Sequence, residues 1–432
     1  MLEPYRPRPA ALFLCACLLA CGSGRAAATR LVDLSLEQLS EIVVTSVSRR
    51  DERLSDAAAS IYVIRGEDIR RSGAGSLPEA LRLAPNLQVA RVNASDYAIS
   101  ARGGNSTTAN KLLVLIDGRT VYTPLFSGVF WDAQAVMLAD IERIEVISGP
   151  GTTMWGANAV NGVINIITRN AADTVGTLAE TRVGQRERGV AVRHGTALGE
   201  QAHLRIYGMS SQSDATRRAD GSLGGDRASH AQAGWRADWQ RSGDHLTLQG
   251  DVYRARTGRT PGGPELAGAN LLGRLSRRLD GDQDLVLQAY LEHSEREVPR
   301  SFHQRLDAVD VEFQHALTPA PAHRLMWGAG LRHARDRVDS GPVIAFLPPS
   351  RTLNHAHVFV HDQWTLSDRV GLGAGLKLEK NPDTGIEVMP DLRLTWRIGE
   401  AGLAWGTLAR AVRAPARLDR DLYVPAVGGA RT

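Results

Sequence analysis

Cysteine is scarce in this 432-residue sequence, and its three cysteines, Cys15, Cys17 and Cys21, all lie near the N-terminus. The rest of the chain therefore offers no thiol for a disulfide, a thiolate zinc site or a cysteine nucleophile. Long apolar runs are also missing, since no stretch approaches the roughly 18 residues of a membrane-spanning helix. The 51 basic and 47 acidic residues are interspersed, so the basic face or stripe that a nucleic-acid partner requires is absent.

The longest apolar run extends from Ala10 to Cys21, follows two arginines and precedes several small residues. A basic start, a short apolar core and a small-residue exit are the pattern of a secretory signal peptide, which we favour over a buried helix. We therefore predict that residues 1–28 are a signal peptide. Two processing sites remain open. Cleavage before Thr29 is favoured, and lipid attachment to Cys21 is the alternative.

From residue 173 onward the sequence has a different texture, with about thirteen segments of alternating polarity separated by turn residues. A period of two places one apolar and one polar face on each strand. A soluble sandwich and an outer-membrane barrel both satisfy this pattern. The barrel is favoured because the segments run about 9–12 residues, their polar faces carry full charges, and tryptophans recur as in interfacial girdles. These tryptophans are Trp235, Trp239, Trp327, Trp364 and Trp396.

Residues 29–172 instead mix short strands, helices and glycine-rich turns. Ser76 and Glu79 form a predicted capping box at the start of a helix that must stop at Pro85. A continuous apolar run at Leu112–Ile116 predicts a strand buried on both faces, and Asp117-Gly118 predicts a hairpin turn after it. Further elements are predicted at Glu67–Arg71, a helix ended by Gly73, and at two strands, Ile141–Ile147 and Val163–Thr168.

The order and spacing of four motifs between residues 101 and 168 resemble the plug domain of the TonB-dependent receptor family. Gly149-Pro150-Gly151 is not a phosphate-binding loop, because no Gly-Lys-Ser/Thr follows and Pro150 lacks an amide donor. The motifs are Ala101-Arg102-Gly103-Gly104, Leu113-Val114-Leu115-Ile116-Asp117-Gly118-Arg119, Ile141 through Gly151, and Trp155 through Thr168.

An extended β-branched run precedes the plug-like region and resembles the family's TonB box, although Ile42 stands where threonine is common. Such a run can add as a strand to the edge of a partner's sheet, so the resemblance implies that the TonB protein binds here. The alternative is that the run is the first strand of the plug. We favour the box because a charged linker follows it. The predicted box residues are Glu41, Ile42, Val43, Val44, Thr45, Ser46 and Val47.

The predicted fold class is an α+β plug domain followed by an antiparallel transmembrane β-barrel. We assign residues 1–28 to the signal peptide, 29–55 to the TonB box and linker, 56–172 to the plug and 173–432 to the N-terminal part of the barrel. Receptors of the family resemble 22-stranded barrels with a plugged lumen, so about thirteen strands predict an incomplete barrel. We expect a fragment or truncated gene, with closure from elsewhere as the alternative.

The resemblance implies a receptor in the outer membrane of a Gram-negative bacterium that takes up a scarce nutrient too large for a porin. It is not an enzyme, and it has no cofactor. An iron–siderophore is the default ligand, with cobalamin and haem open; a non-transporting fragment and a passive channel are the rival functions. We expect ligand contacts on the plug's outward loops, with packing inside the protein as the alternative. The candidate residues are Tyr97, Tyr122, Phe126, Phe130 and Trp131.

Three histidines, His355, His357 and His361, share one predicted strand face with Phe359. The opposite face is apolar, so we expect the histidines to face the lumen. Imidazoles at this spacing can hold a metal or haem iron. The favoured interpretation is a polar lumen lining, and we predict no metal site.

Overall fold

The computed structural model of the protein describes residues 43–45, 52–54, 57–258, 262–279, 282–399 and 402–424. The predicted signal peptide, both of its processing sites and residues 425–432 lie outside this part of the chain. Of the predicted TonB box, only Val43, Val44 and Thr45 are described.

The N-terminal region is a small α+β unit built on a five-stranded sheet of order β3-β8-β9-β6-β7. Within this sheet β6 and β9 are parallel and the other pairs are antiparallel. Its strands are β1 Val43–Val44, β2 Glu52–Arg53, β3 Ser60–Arg65, β4 Gln88–Arg91, β5 Tyr97–Ser100, β6 Leu112–Ile116, β7 Arg119–Thr120, β8 Ile141–Ser148 and β9 Gly162–Thr168. Its helices are α1 Gly66–Ser72, α2 Leu77–Leu81 and α3 Thr152–Trp155, with 3₁₀ turns at Trp131–Ala133, Leu138–Asp140 and Ala171–Thr174.

Most local predictions for this unit are confirmed. Every residue of β6 is buried, and Asp117 and Gly118 both have positive φ, as a two-residue hairpin turn requires. Helix α1 ends at Gly73 in the left-handed conformation. The capping box at α2 is only half formed. Ser76 accepts the Glu79 amide at 3.5 Å, but the Glu79 carboxylate accepts from Arg82 at 2.6 Å and does not return to the Ser76 backbone.

The remaining chain forms a thirteen-stranded sheet in which every strand is antiparallel to its neighbours, as the alternating segments predict. Strand order follows chain order, apart from the short strand β19, which pairs with β24 outside this sheet. The strands are β10 Gly176–Val183, β11 Glu187–Ala197, β12 Ala202–Ser213, β13 Ala228–Arg241, β14 Asp244–Thr257, β15 Glu265–Leu279, β16 Gln283–Val298, β17 Phe302–Ala320, β18 His323–Ser340, β19 Ala345–Phe346, β20 Ser350–Thr365, β21 Val370–Asn381, β22 Gly385–Ile398, β23 Gly402–Ala409 and β24 Leu422–Tyr423, with helix α4 at Arg417–Arg420.

The two faces of the large sheet differ as predicted. One face exposes apolar side chains that no described residue covers, and the other buries polar and charged side chains against the N-terminal unit. Among the described residues, no helix is long and apolar enough to cross a membrane. The exposed face includes Trp235, Trp239, Leu248, Val252, Leu287, Leu291, Trp327, Leu331, Leu376, Leu378, Leu392, Leu394, Trp396 and Ile398; the buried polar face includes Gln232, Arg236, Asp238, Thr247, Gln288, Lys377 and Glu379.

Several strands are longer than the predicted 9–12 residues, and β17 reaches 19 residues. The extra residues are polar on both faces, as in the stretch from Glu292 to Glu297 of β16, so alternation gives no signal there. The sheet curves around the N-terminal unit, which it contacts from β10, through Arg182 and Gly75, to β22, through Met389 and Thr153. Within the described residues, β10 and β23 are not paired with each other.

Candidate functional site

The hairpin between β6 and β7 inserts its turn into the polar face of the large sheet. One Asp117 oxygen accepts the Thr168 amide at 2.8 Å, and the other accepts the Thr168 hydroxyl at 2.8 Å and the Gln249 amide at 2.9 Å. The guanidinium of Arg236 lies 3.8 Å from the same carboxylate. We call Asp117, Thr168, Arg236 and Gln249 the hairpin cluster, since they join the turn to the wall of the sheet.

Electrostatics favour the ionised form of Asp117. Its complete burial acts to raise the pKa, but Arg236 and the bonds donated by Thr168 and Gln249 outweigh burial and lower the pKa below its ordinary value. The next residue, Gly118, has φ +81°, a conformation that strains any other residue, and it lies beneath the large sheet. A Cβ there would lie 2.4 Å from Arg274 Nη2, so the arginine side chain would also have to shift.

Further buried ion pairs join the unit to the sheet at intervals. Asp140 forms ion pairs with Arg193 and with Arg205, the second at 3.3 Å. The Asp140 side chain is 3% exposed. Arg119 lies 3.4 Å from Glu292 on β16. Because each pair joins distant parts of the chain, these contacts hold the unit against many strands at once.

Two of the predicted ligand-binding aromatics lie inside the N-terminal unit. Tyr97 and Trp131 belong to its main apolar cluster and are 6% and 8% exposed. The Tyr97 hydroxyl donates to Glu79 at 2.8 Å, and burial together with this bond raises the pKa of the phenol. For these two residues, the structure matches the alternative of internal packing.

The other three predicted aromatics lie where the loop after β7 meets the sheet. Phe126 and Phe130 contact each other edge-to-face with ring centroids 4.9 Å apart. The guanidinium of Arg296 lies 3.7 Å above the Phe130 ring and is also paired with Asp132. Tyr122 and Phe130 line a cavity of about 40 Å³. That volume is far below the ~300 Å³ of the smallest common ligand pockets.

Residues 410–424, which we call the clasp, lie over this loop. After β23 the chain turns inward, and the backbones of Arg417 and Leu418 donate to the carbonyls of Pro124 and Leu125 at 3.0 and 2.7 Å. Asn158, on the turn after α3, donates its amide to Val412 at 2.8 Å. Strand β24 then pairs with β19 in the loop between β18 and β20. The clasp thus contacts two loops of the N-terminal unit and one loop of the sheet.

A buried arginine fixes the clasp. Arg417 is 1% exposed, and its guanidinium contacts Asp336 at 2.7 Å and Asp421 at 2.8 Å. It also lies 5.4 Å from the Phe346 ring centroid of β19. Asp336 accepts a further bond from Gln304 at 2.6 Å. The charge of Arg417 is therefore matched within a fully enclosed network.

The described part of the predicted TonB box is packed on the N-terminal unit. Val43 and Val44 form β1, which pairs with β2, and Val44 is fully buried in a second apolar cluster that includes Leu113 and Val163. The Thr45 amide donates to both Glu145 oxygens at 3.1 and 3.2 Å. In this conformation the segment is the first strand of the unit, as the alternative interpretation predicts.

The three histidines face inward, as predicted. His361 is 4% exposed and lies 3.8 Å from Asp391. His355 and His357 line a cavity of about 130 Å³ together with Arg332 and Glu379. Across the part of the chain that the structure describes, no group of three or more His, Cys, Asp or Glu side chains is placed to hold a metal ion.

The comparison with protein families matches residues 53–163 to the TonB-dependent Receptor Plug Domain. This match covers four strands of the five-stranded sheet, the first two residues of β9 and the turn of the hairpin cluster. The chain belongs to the TonB-dependent receptor family. The family consists of transporters and receptors rather than enzymes.

Curated relatives of this receptor include two from Vibrio cholerae. The vitamin B12 transporter BtuB is 28% identical over 178 residues, which are 41% of this chain and 28% of the relative. The iron-regulated outer membrane virulence protein is 25% identical over 405 residues, which are 87% of this chain and 60% of the relative. The receptor chain thus spans less than two thirds of the length of either relative.

Solved structures share the fold of this receptor. A ferric enterobactin receptor from Pseudomonas aeruginosa has a TM-score of 0.71 at 16% identity, over 87% of this chain and 64% of that one. The siderophore receptor PirA from the same species has a TM-score of 0.65 at 20% identity, over 82% and 65% of the two chains. At these identities the likeness concerns the plug and large antiparallel sheet, not the ligand.

Sequence reasoning missed the clasp of the receptor. The stretch from Arg413 to Tyr423 has no counterpart among the elements predicted from the sequence. Arg417 and Asp421 have the i, i+4 spacing of a helical ion pair. This spacing is the one local feature of the sequence that indicates a helical turn here. Nothing in the local sequence specifies that Asp336, 81 positions earlier, completes the pair.

Proposed function

We propose that the receptor carries out TonB-dependent uptake of a scarce nutrient across the outer membrane, and that the nutrient is an iron–siderophore. The observation that carries this proposal is that the plug fills the inner face of the sheet. The plug contacts strands as far as β22 through buried polar groups such as Asp140 and Thr153. Along these strands a solute can pass only if the plug is remodelled, which requires work.

The predicted TonB box supplies a place where that work could be applied. Val44 is inserted among the apolar side chains of the plug, and Thr45 is bonded to the buried Glu145. Force on the segment would therefore act directly on the plug core. For TonB to add its own strand, β1 must first separate from β2. We propose Glu41–Val47 as the partner site on this basis.

The three aromatics near the clasp remain the proposed ligand contacts. Arg296 lies over the Phe130 ring, and the loop that carries the three aromatics is bonded to the clasp through the carbonyls of Pro124 and Leu125. A cation over an aromatic ring can accept an anionic, ring-bearing chelate. The adjoining cavity is too small for such a ligand, so the side chains that line it must rearrange for the ligand to reach them. Tyr97 and Trp131 act by packing in this proposal.

The proposed substrate class rests on the relatives, whose names indicate two different nutrients. The relative that matches 87% of this chain is iron-regulated, and the relative that matches 41% of this chain is a vitamin B12 transporter. Uptake of radiolabelled ferric siderophores and of cobalamin in cells with and without TonB separates these alternatives. TonB-dependent uptake of iron chelates alone is the expected result; TonB-independent leakage of small solutes would favour a passive channel, and no uptake would favour a non-transporting fragment.

A further inference from the structure

A cavity of about 460 Å³ lies between the plug and the first strands of the large sheet. On the plug side it is lined by residues 75–77 and 134–138. On the sheet side its lining includes Met209 of β12 and His230 of β13. The guanidinium of Arg182 on β10 bridges the two sides, since it donates to a carbonyl of the plug at 2.7 Å.

The side chains of Met209 and His230 lie on the face of the sheet that contacts the plug. His230 and Gln232 alternate onto the same face of β13, and the Gln232 amide donates to the Ala135 carbonyl of the plug at 3.3 Å. Met209 is directly opposite Gln232 in the β12–β13 ladder, so it shares that face. Met209 and His230 are therefore diagonal neighbours, roughly 7–8 Å apart, a separation that long side chains can bridge.

Met137 of the plug brings a second thioether to the same cavity. It follows Ala135 by two residues, which places their Cα atoms within about 7 Å of each other. Because the Ala135 carbonyl is bonded to Gln232, Met137 lies close to the pair formed by Met209 and His230. Two thioether sulfurs and one imidazole thus line one cavity.

Hydrogen bonds fix the tautomer of the His230 imidazole. The Gln232 amide nitrogen donates to the Ala135 carbonyl, which can only accept, and to the Tyr207 hydroxyl at 2.7 Å. The Gln232 oxygen lies 3.1 Å from His230 Nε2, so it accepts from that nitrogen and leaves the lone pair of the neutral ring on Nδ1. No group among the described residues donates to Nδ1. A metal-binding histidine has this arrangement, with its other ring nitrogen donating to a fixed acceptor.

We propose that Met137, Met209 and His230 bind a soft monovalent metal ion, Cu(I) or its heavier analogue Ag(I). Thioether sulfur is a soft ligand that selects Cu(I), and imidazole also suits copper. Calcium and magnesium need several oxygen ligands, most of them from carboxylates. The charged lining of the cavity is Glu180 and Arg182, which together have no net charge.

Ligation requires side-chain rotation and no change of the backbone. A methionine side chain rotates about three bonds, so both sulfurs can turn into the cavity toward His230 Nδ1. The inference rests on the soft ligands that line this cavity and not on the proposed substrate or on energised uptake.

Titration of the full chain with Ag(I) in detergent tests the proposal. Cys15, Cys17 and Cys21 are first replaced by serine, because their thiolates would also bind a soft metal. The methionines carry a ¹³C-labelled methyl group, so NMR reports on each thioether separately. We expect saturable binding of Ag(I), with shifts of the Met137 and Met209 methyl signals.

Replacing any of the three ligands should lower the silver affinity at least tenfold, since the loss of an outer hydrogen-bond partner alone costs about 10–100-fold. The variants are Met137→Leu, Met209→Leu and His230→Gln, and the leucines conserve side-chain volume so that packing is kept. Gln232→Leu leaves all three ligands in place but frees the imidazole tautomer, and it should lower the affinity roughly tenfold.

The matched control is Met154→Leu/Met326→Leu, which changes two thioethers that pack with Phe359 in an apolar cluster and should leave the silver affinity unchanged. Silver affinity that is unchanged in Met137→Leu/Met209→Leu, or equal shifts of all the methionine methyl signals, overturns the proposal. Displacement of Ag(I) by an equal concentration of Zn(II) would overturn the assignment to a soft monovalent ion. The absence of saturable binding to the chain with its three ligands intact overturns the proposal however the variants fold.

Discussion

Arg417 and Asp336 form an ion pair with 2.7 Å between Nη1 and Oδ2, and neither side chain is more than 1% exposed. This pair joins the clasp to strand β18. Replacing two buried charges by apolar groups can be neutral, but removing one partner leaves the other charge buried without compensation. The pair therefore sets how firmly the clasp covers the plug loop beneath it.

We predict that Arg417→Ala lowers the free energy of unfolding by about 3–5 kcal/mol, since Asp336 is left buried and unpaired. It should also expose residues 410–424 to protease. The control is Arg420→Ala, whose guanidinium is 48% exposed beside Asp383 and should contribute no more than about 1 kcal/mol. Thermal unfolding and mapping of the first protease cuts measure both effects; equal cleavage in the two variants would contradict the role of Arg417.

The hairpin cluster should respond to acid. The pKa of Asp117 is lowered in the folded protein, so its ionised form stabilises the fold above the ordinary carboxyl pKa, and this contribution is lost as pH falls through the lowered value. We predict that Asp117→Asn costs about 2 kcal/mol at pH 7 and progressively less below about pH 4. Asparagine tolerates the positive φ of this position. Thermal melts of both proteins from pH 7 to pH 3 measure the difference; a difference that does not change with pH would exclude Asp117 as its source.

Neighbouring aromatics on the plug loop should separate into two roles. Trp131→Ala empties a core position and should cost about 3–5 kcal/mol of stability. Phe130→Ala removes a half-buried ring beneath Arg296, and it should weaken ligand binding roughly tenfold while costing less stability. Titration of the transported ligand and thermal melts on both variants give the comparison. Unchanged affinity in Phe130→Ala would remove Phe130 from the proposed ligand contacts.

The plug should fold without the sheet. Its main apolar cluster joins α1, α2, β5, β6, β8 and β9, and no cluster member comes from the large sheet. We predict that residues 29–172 expressed alone give a dispersed amide spectrum. A disordered spectrum would show that the ion pairs from Arg193, Arg236 and Arg296 are needed for folding as well as for docking.

Alternation made the large sheet predictable. The faces of β13, β16 and β22 follow from the sequence because the two-residue periodicity fixes which side chains meet the polar interior. The hairpin turn was predictable because Asp117-Gly118 has a strong local preference. The ends of the strands were not predictable, because residues such as His293 and Glu295 make both faces polar there.

The contacts between plug and sheet could not be read from the sequence. That Arg236 meets Asp117, or that Arg296 meets Asp132, depends on the register of many strands, and a slip of one residue would turn each side chain to the other face. The aromatics near Phe126 were identified as a group by type and spacing. Their division between core and interface depends on the clasp, which is held by long-range pairs.

The proposed TonB box is tested most directly by uptake after deletion of Glu41–Val47. Ligand binding to whole cells should be unchanged, because the deletion lies far along the chain from Tyr122 and Phe130, while uptake should fall to the level of cells without TonB. Val43→Pro, which removes one ladder donor, should act in the same direction, and Val43→Ile should not. Normal energised uptake by the deleted receptor would contradict the account.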